Sequence, residues 1–109
     1  MLPRLIHTKA YDNDVAGLLT DDEVAAMEFA IASQPEAHPV IAETGGVRKA
    51  RWSRGGRGKS GGVRVAYYYI GHRGVIYMLL VFGKNEKANF SNAERNALYK
   101  LTKRLKDEK

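Results

Sequence analysis

The chain alternates between two hydrophobic periods. Tyr11, Val15, Leu18 and Leu19 recur at helical intervals, and Thr20-Asp21-Asp22-Glu23 then has the Ser/Thr-x-x-Glu form in which side chain and backbone satisfy one another at a helix start. A second helix therefore opens there, with Val24, Met27 and Ile31 on one stripe, and stops at Gln34 because Pro35 disfavours a helical residue before it. Ser91-Asn92-Ala93-Glu94 repeats the capping form. Ala97, Leu98, Leu101 and Leu105 give the last helix its apolar stripe, and Lys100, Lys103, Arg104 and Lys106 fit a solvated face.

Between the helices the period shortens. Residues 63–70 and 75–82 are apolar nearly throughout, β-branched and aromatic, and only Gly71-His72-Arg73-Gly74 separates them. That pattern predicts an antiparallel hairpin in mid-sheet, with both faces at least partly covered. Residues 47–53 read V-R-K-A-R-W-S, so Ala50 and Trp52 share one face while Lys49 and Arg51 share the other. Residues 2–8 supply a further strand. The order β-α-α-β-β-β-α predicts an α+β fold with two N-terminal helices and one C-terminal helix on one face of a small antiparallel sheet. At 109 residues the chain suits one domain spanning 1–109.

Charge changes the picture most. Residues 1–43 carry a net −6, residues 44–85 contain no Asp or Glu and reach +9, and the remainder adds +3 to give the chain's +6. A basic face with an acidic flank attracts phosphate backbones or an acidic protein partner. Pairing 47–53 with 63–70 brings Lys49, Arg51 and Arg64 onto one face. The glycine-rich loop 54–62 then carries Arg54, Arg57 and Lys59 at its rim, and Lys84 leaves the end of the adjacent strand. Arg48 and Arg73 complete the basic set expected to meet RNA.

Within that loop, Gly56 to Ser60 reads GRGKS and imitates the end of a phosphate-binding P-loop. The imitation fails on both sides. Ser53 stands where the first glycine is required, and the residues that follow favour a strand rather than the helix a P-loop opens. Cysteine is absent, which removes disulfides, thiol nucleophiles and Cys-based zinc sites. No apolar run is long enough to cross a bilayer and the first residues lack a signal-peptide core, so a cytoplasmic location without membrane attachment is expected.

The segments Gly45-Gly46-Val47-Arg48-Lys49-Ala50-Arg51-Trp52, Gly55-Gly56-Arg57-Gly58-Lys59-Ser60-Gly61-Gly62, Val63-Arg64-Val65-Ala66-Tyr67-Tyr68-Tyr69 and Val81-Phe82-Gly83-Lys84-Asn85-Glu86 together resemble the RelE/ParE superfamily of bacterial toxins, with the HigB-type toxins as the closest branch. The resemblance covers most of the chain. It implies a toxin of a type II toxin-antitoxin pair that enters the ribosomal decoding site, cleaves mRNA there, and is held inactive by a protein antitoxin, expected to contain a helix-turn-helix domain.

Residue by residue, the resemblance assigns catalysis to Lys49, Arg51, Arg64 and Lys84. Two positions depart from RelE: Asn85 stands in place of an arginine, and Phe90 and Ser91 in place of a catalytic tyrosine. A phenyl ring can stack on a base but cannot transfer a proton, which leaves Phe90 as an RNA contact and passes the general-acid role to Lys84 or Glu86.

RNA can be cut with no cofactor when its own 2′-hydroxyl attacks the adjacent phosphate, provided cations neutralise the crowded phosphorane. Arginine suits that task through its planar fork, and lysine serves as a base where crowded cations favour its neutral form. His7 and His38 lie in the acidic portion and His72 in a turn, so no histidine pair is available. A gyrase-binding toxin of ParE type or a generic RNA-binding module would carry a similar positive face, but neither needs the Lys49, Arg51, Arg64 and Lys84 set for chemistry.

Overall fold

Thr8, Thr20 and Ser91 each sit in extended conformation and accept a hydrogen bond from the backbone N–H three residues ahead, so each starts a helix. Glu23 and Glu94 reach back to the cap N–H of Thr20 and Ser91 at 2.9 and 2.8 Å, completing both anticipated capping boxes. The computed structural model describes residues 1–53, 62–83 and 89–108. It runs β1 (Arg4–His7), α1 (Lys9–Leu18), α2 (Asp21–Ser33), β2 (Arg48–Trp52), β3 (Val63–Ile70), β4 (Val75–Gly83) and α3 (Asn92–Asp107). A one-turn 3₁₀ helix, Gly71–Arg73, closes the β3–β4 hairpin, and Gly74 leaves it in the left-handed region at φ 64°.

The four strands form one sheet in the order β1-β4-β3-β2. β2, β3 and β4 are antiparallel neighbours as expected, but β1 runs parallel to β4, with Arg4 opposite Val75 and His7 opposite Met78. The sheet is therefore mixed rather than antiparallel. A hairpin dictates its own direction, whereas a strand separated from its partner by helices can return either way.

The helices also occupy both faces, not one. Tyr11 of α1 and Met27 and Ile31 of α2 pack on Ala50, Val65, Tyr67, Ile76 and Met78. Leu98 and Leu105 of α3 pack on Ala66, Tyr68, Tyr77, Leu79 and Phe82 from the other side. Apolar positions on both faces of β3 and β4 require two covers, and one helical layer could bury only half of them.

An irregularity in β4 sets the phase of the sheet's far end. Ala66 pairs with Leu80 but Tyr67 pairs with Met78, so Leu79 is an extra residue. Beyond this bulge the faces exchange: Val81 joins Met78 in the first core, and Phe82 joins Leu79 on the α3 side.

Candidate nucleic-acid interface

Alternation along β2 sorts its side chains. Ala50 and Trp52 join the core beneath α1 and α2, which places Lys49 and Arg51 on the face that α3 occupies. Arg51 is the register partner of Arg64 on β3, and Arg64 is in turn the partner of Phe82 on β4. Directly opposed residues in an antiparallel pair have Cβ atoms about 4.5–5.5 Å apart, so two guanidinium groups are anchored close together with Lys49 two residues away. The structure thus brings together three of the four residues expected to be catalytic. Lys84, the fourth, lies outside the described residues, as do Arg54, Arg57, Lys59 and Glu86.

Like charges placed opposite one another destabilise a sheet. Nothing among the described residues offsets this pair: neither the Lys49 ammonium nor the Arg51 guanidinium has an ion pair or hydrogen bond, and Arg64 makes only a long 3.5 Å contact to the carbonyl of Val63. The acidic residues of α1 and α2, including Asp12, Asp21, Asp22 and Glu23, belong to the opposite helical layer. The resulting field draws an anion toward Arg51 and Arg64.

Other expected RNA contacts are placed elsewhere. The Arg48 guanidinium donates to the carbonyls of Glu36 at 3.1 Å and His38 at 2.7 Å, on the side opposite to Lys49. Arg73 donates to the carbonyls of Leu105, at 3.0 Å, and Lys106, where a cation suits the end of α3. Phe90 is only 5% exposed, its ring edge-on to Phe82 with centroids 5.5 Å apart, so it supports the floor of the site instead of presenting a face to a base.

His7 packs against Tyr11 and His38 against Tyr67, on the side of the sheet opposite to Lys49, Arg51 and Arg64. His7 lies between Asp12, at 3.2 Å from Nδ1, and Glu28, at 2.8 Å from Nε2. Glu28 also accepts from the Tyr11 hydroxyl at 2.7 Å, and burial followed by this carboxylate holds the Tyr11 phenol protonated far above its ordinary range. Tyr67 donates to the carbonyl of Pro35 at 2.7 Å, and its phenol is pushed up to about 12 by burial, partly opposed by Arg48. Among the described residues no group of His, Cys, Asp and Glu is arranged to hold a metal ion. Among them, too, no helix is long and apolar enough to cross a membrane.

Sequence reasoning passed over Arg95. It lies on α3 in phase with Leu98, Thr102 and Leu105, all buried, so it was legible as a charge on the apolar stripe.

Three helices lie on a four-stranded mixed sheet, with a cationic strand pair beside the last helix, and the match of a family model places a chain of this architecture among the toxins of the RelE/ParE superfamily. The chain belongs to the RelE family: the family model described as "RelE toxin of RelE / RelB toxin-antitoxin system" matches residues 12–109. It is similar in fold to the E. coli toxin RelE, solved in the free state as a double arginine-to-alanine mutant. The TM-score is 0.59 and the identity 15%, over 81% of this chain and 90% of that one. Family membership makes the chain the toxin half of a toxin-antitoxin pair, with an antitoxin as its partner.

Proposed function

We propose that this toxin is a ribosome-dependent mRNA endonuclease, a single domain over residues 1–109 acting in the cytoplasm where translating ribosomes are found. The observation that carries the reading is the opposed Arg51–Arg64 pair with Lys49 beside it, a cation cluster left without a carboxylate among the described residues. Such a cluster costs the free fold stability and is offset when a phosphate sits between the forks.

The chemistry follows from those groups. The 2′-oxygen of one nucleotide attacks the neighbouring phosphorus, the P–O5′ bond breaks, and the products are a 2′,3′-cyclic phosphate and a 5′-hydroxyl. Arg51 and Arg64 bind the non-bridging oxygens most strongly as charge accumulates on the phosphorane. Lys49 is assigned to the 2′-hydroxyl proton, and Lys84 to the leaving oxygen. The ribosome contributes the mRNA already held in the decoding site, which removes the cost of orienting a flexible strand.

The test is incubation of purified toxin with programmed ribosomes, followed by mapping of both new RNA ends. A cyclic phosphate and a 5′-hydroxyl within the codon in the decoding site, formed equally in EDTA-treated toxin, are expected. Intact mRNA together with inhibited gyrase supercoiling would replace this reading by a ParE-like one. A helix-turn-helix protein encoded just downstream would place the pair on the HigB-type branch.

A further inference from the structure

Lys49 and Arg95 line one cavity of about 250 Å³, together with Asn89 and the wall made by Pro39, Val40, Ile41 and Ala42. Among the described residues no acidic one lines it, and the wall is apolar, with Val40 left 50% exposed.

The wall is fixed before any ligand arrives. Ile41 N–H donates to the carbonyl of Val47 at 2.7 Å and Lys49 N–H to that of Pro39 at 3.0 Å, so this segment runs as a short antiparallel extension beside β2. The turn that follows places Glu43 at φ 65°, Gly45 at φ 77° and Gly46 at φ 118°. Its fully buried Thr44 accepts a 2.9 Å hydrogen bond at its carbonyl from the Thr102 hydroxyl, which pins the turn to α3. Cation, wall and helix are thus held in one arrangement, and binding there orders little.

Arg95 is under-used in that arrangement. Its Nε is buried without a hydrogen-bond partner, and its one ion pair among the described residues is to Glu43 at 3.6 Å, whose side chain is 73% exposed. A guanidinium offers five donors, and an exposed carboxylate at that distance is a weak tether. A guanidinium beside an apolar wall matches a nucleotide, whose phosphate needs the first and whose base or ribose needs the second.

We propose that this cavity is a nucleotide subsite of single-stranded RNA, in which Arg95 holds the phosphate next to the scissile one and Lys49 stands at the border with the reacting ribose. Residues 39–42 receive the base or ribose of that nucleotide, and Glu43 releases Arg95 as it enters. The identity of the polymer rests on the nuclease reading; the binding itself does not.

The experiment measures affinity of the full chain for a short RNA whose riboses are 2′-O-methylated and so cannot be cut. Arg95→Ala should weaken binding roughly tenfold to a hundredfold, as loss of a charge-assisted contact does. Arg95→Lys should recover part of this, and Glu43→Gln should tighten binding by up to about fivefold by removing the competing carboxylate. A structural role for the ion pair predicts the opposite sign for Glu43→Gln. The Arg95 Nε–H resonance should shift on titration.

Wild-type affinity in a folded Arg95→Ala variant would overturn the subsite, as would absence of wild-type binding at millimolar RNA. If Arg95→Ala unfolds, an unmoved Nε–H resonance together with unchanged affinity in Glu43→Gln overturns it instead. On programmed ribosomes, Arg95→Ala should raise KM and leave kcat nearly unchanged. A raised KM with unaltered affinity for the short RNA would assign the cavity to ribosomal RNA and reject the mRNA subsite. Arg95-dependent binding by a toxin that cuts nothing would keep the subsite and remove the nuclease reading.

Discussion

Arg48 and Lys49 are neighbours in the chain and serve opposite sides of the sheet. On the side of α1 and α2, polar groups are matched: Arg48 holds two carbonyls, Tyr67 a third, Tyr11 shares Glu28 with His7, and the Asp14 carboxylate accepts from Val81 N–H at 3.1 Å. On the side of α3, the last rungs of β2 and β3 present Lys49, Arg51 and Arg64 with no matched anion among the described residues. The first side has its charges matched, while the second leaves three cations unmatched among these residues at one end of the sheet. Identical residue types acquire different duties from the parity of their position on a strand.

The comparison breaks most visibly if Arg64 is dispensable. Arg64→Ala should slow single-turnover cleavage on programmed ribosomes by about a hundredfold, the scale of losing one transition-state donor, without lowering the melting temperature. Arg64→Lys should recover only part, because a point charge lacks the fork. Unaltered cleavage by Arg64→Ala would remove the cationic pair from the chemistry.

Arg48→Ala should show the reverse pattern. It strips the donor from the carbonyls of Glu36 and His38 and should cost roughly 1–3 kcal/mol in urea unfolding, with the folded protein cleaving at the wild-type rate. A loss of cleavage with full stability would move Arg48 to the RNA side.

Tyr67 sharpens the same contrast through pH. Its phenol is raised from 10.0 to about 12 in the folded chain, so its contribution is complete below pH 10 and is lost as pH rises toward 12, where the unfolded state releases the proton first. Tyr67→Phe should therefore lose less stability than wild type across that window, by roughly 1–2 kcal/mol, measured by urea unfolding at successive pH values. Equal losses would show that the hydroxyl is not held by the fold.

The smallest effect has the most unusual sign. Arg51→Gln removes one of two opposed like charges and should raise stability by up to about 1 kcal/mol while slowing cleavage. A destabilised variant would mean that the pair is compensated in the free protein.

Local chemistry was legible in the sequence and long-range geometry was not. Thr20 with Glu23 and Ser91 with Glu94 announce their helices within four residues, and the alternation of Lys49, Ala50, Arg51 and Trp52 declares a two-faced strand. The direction of β1 depends on a partner some seventy residues away, and the uniform apolarity of β4 conceals the extra Leu79. Arg48 and Arg73 were expected to meet RNA because of their sign, yet they bind backbone carbonyls, which leave no mark on sequence. Arg95 was missed because the apolar stripe of α3 was read from Ala97 onward, although Arg95 is in phase with Leu98 and Thr102.

Parallel pairing of β1 with β4 has a consequence for the order in which the chain assembles. Residues 4–7 and the Thr8 hydroxyl, which donates to the carbonyls of Met78 and Leu79, find their partners only once the second arm of the hairpin exists. At about 5–20 residues per second of synthesis, the first strand waits roughly 4–14 s after its own emergence, exposed to other partners. The β3–β4 hairpin closes through four residues and needs no such delay. Amide exchange during refolding should find β3 and β4 protected first and β1 last, with the cationic rungs in place while the molecule's opposite edge is still open.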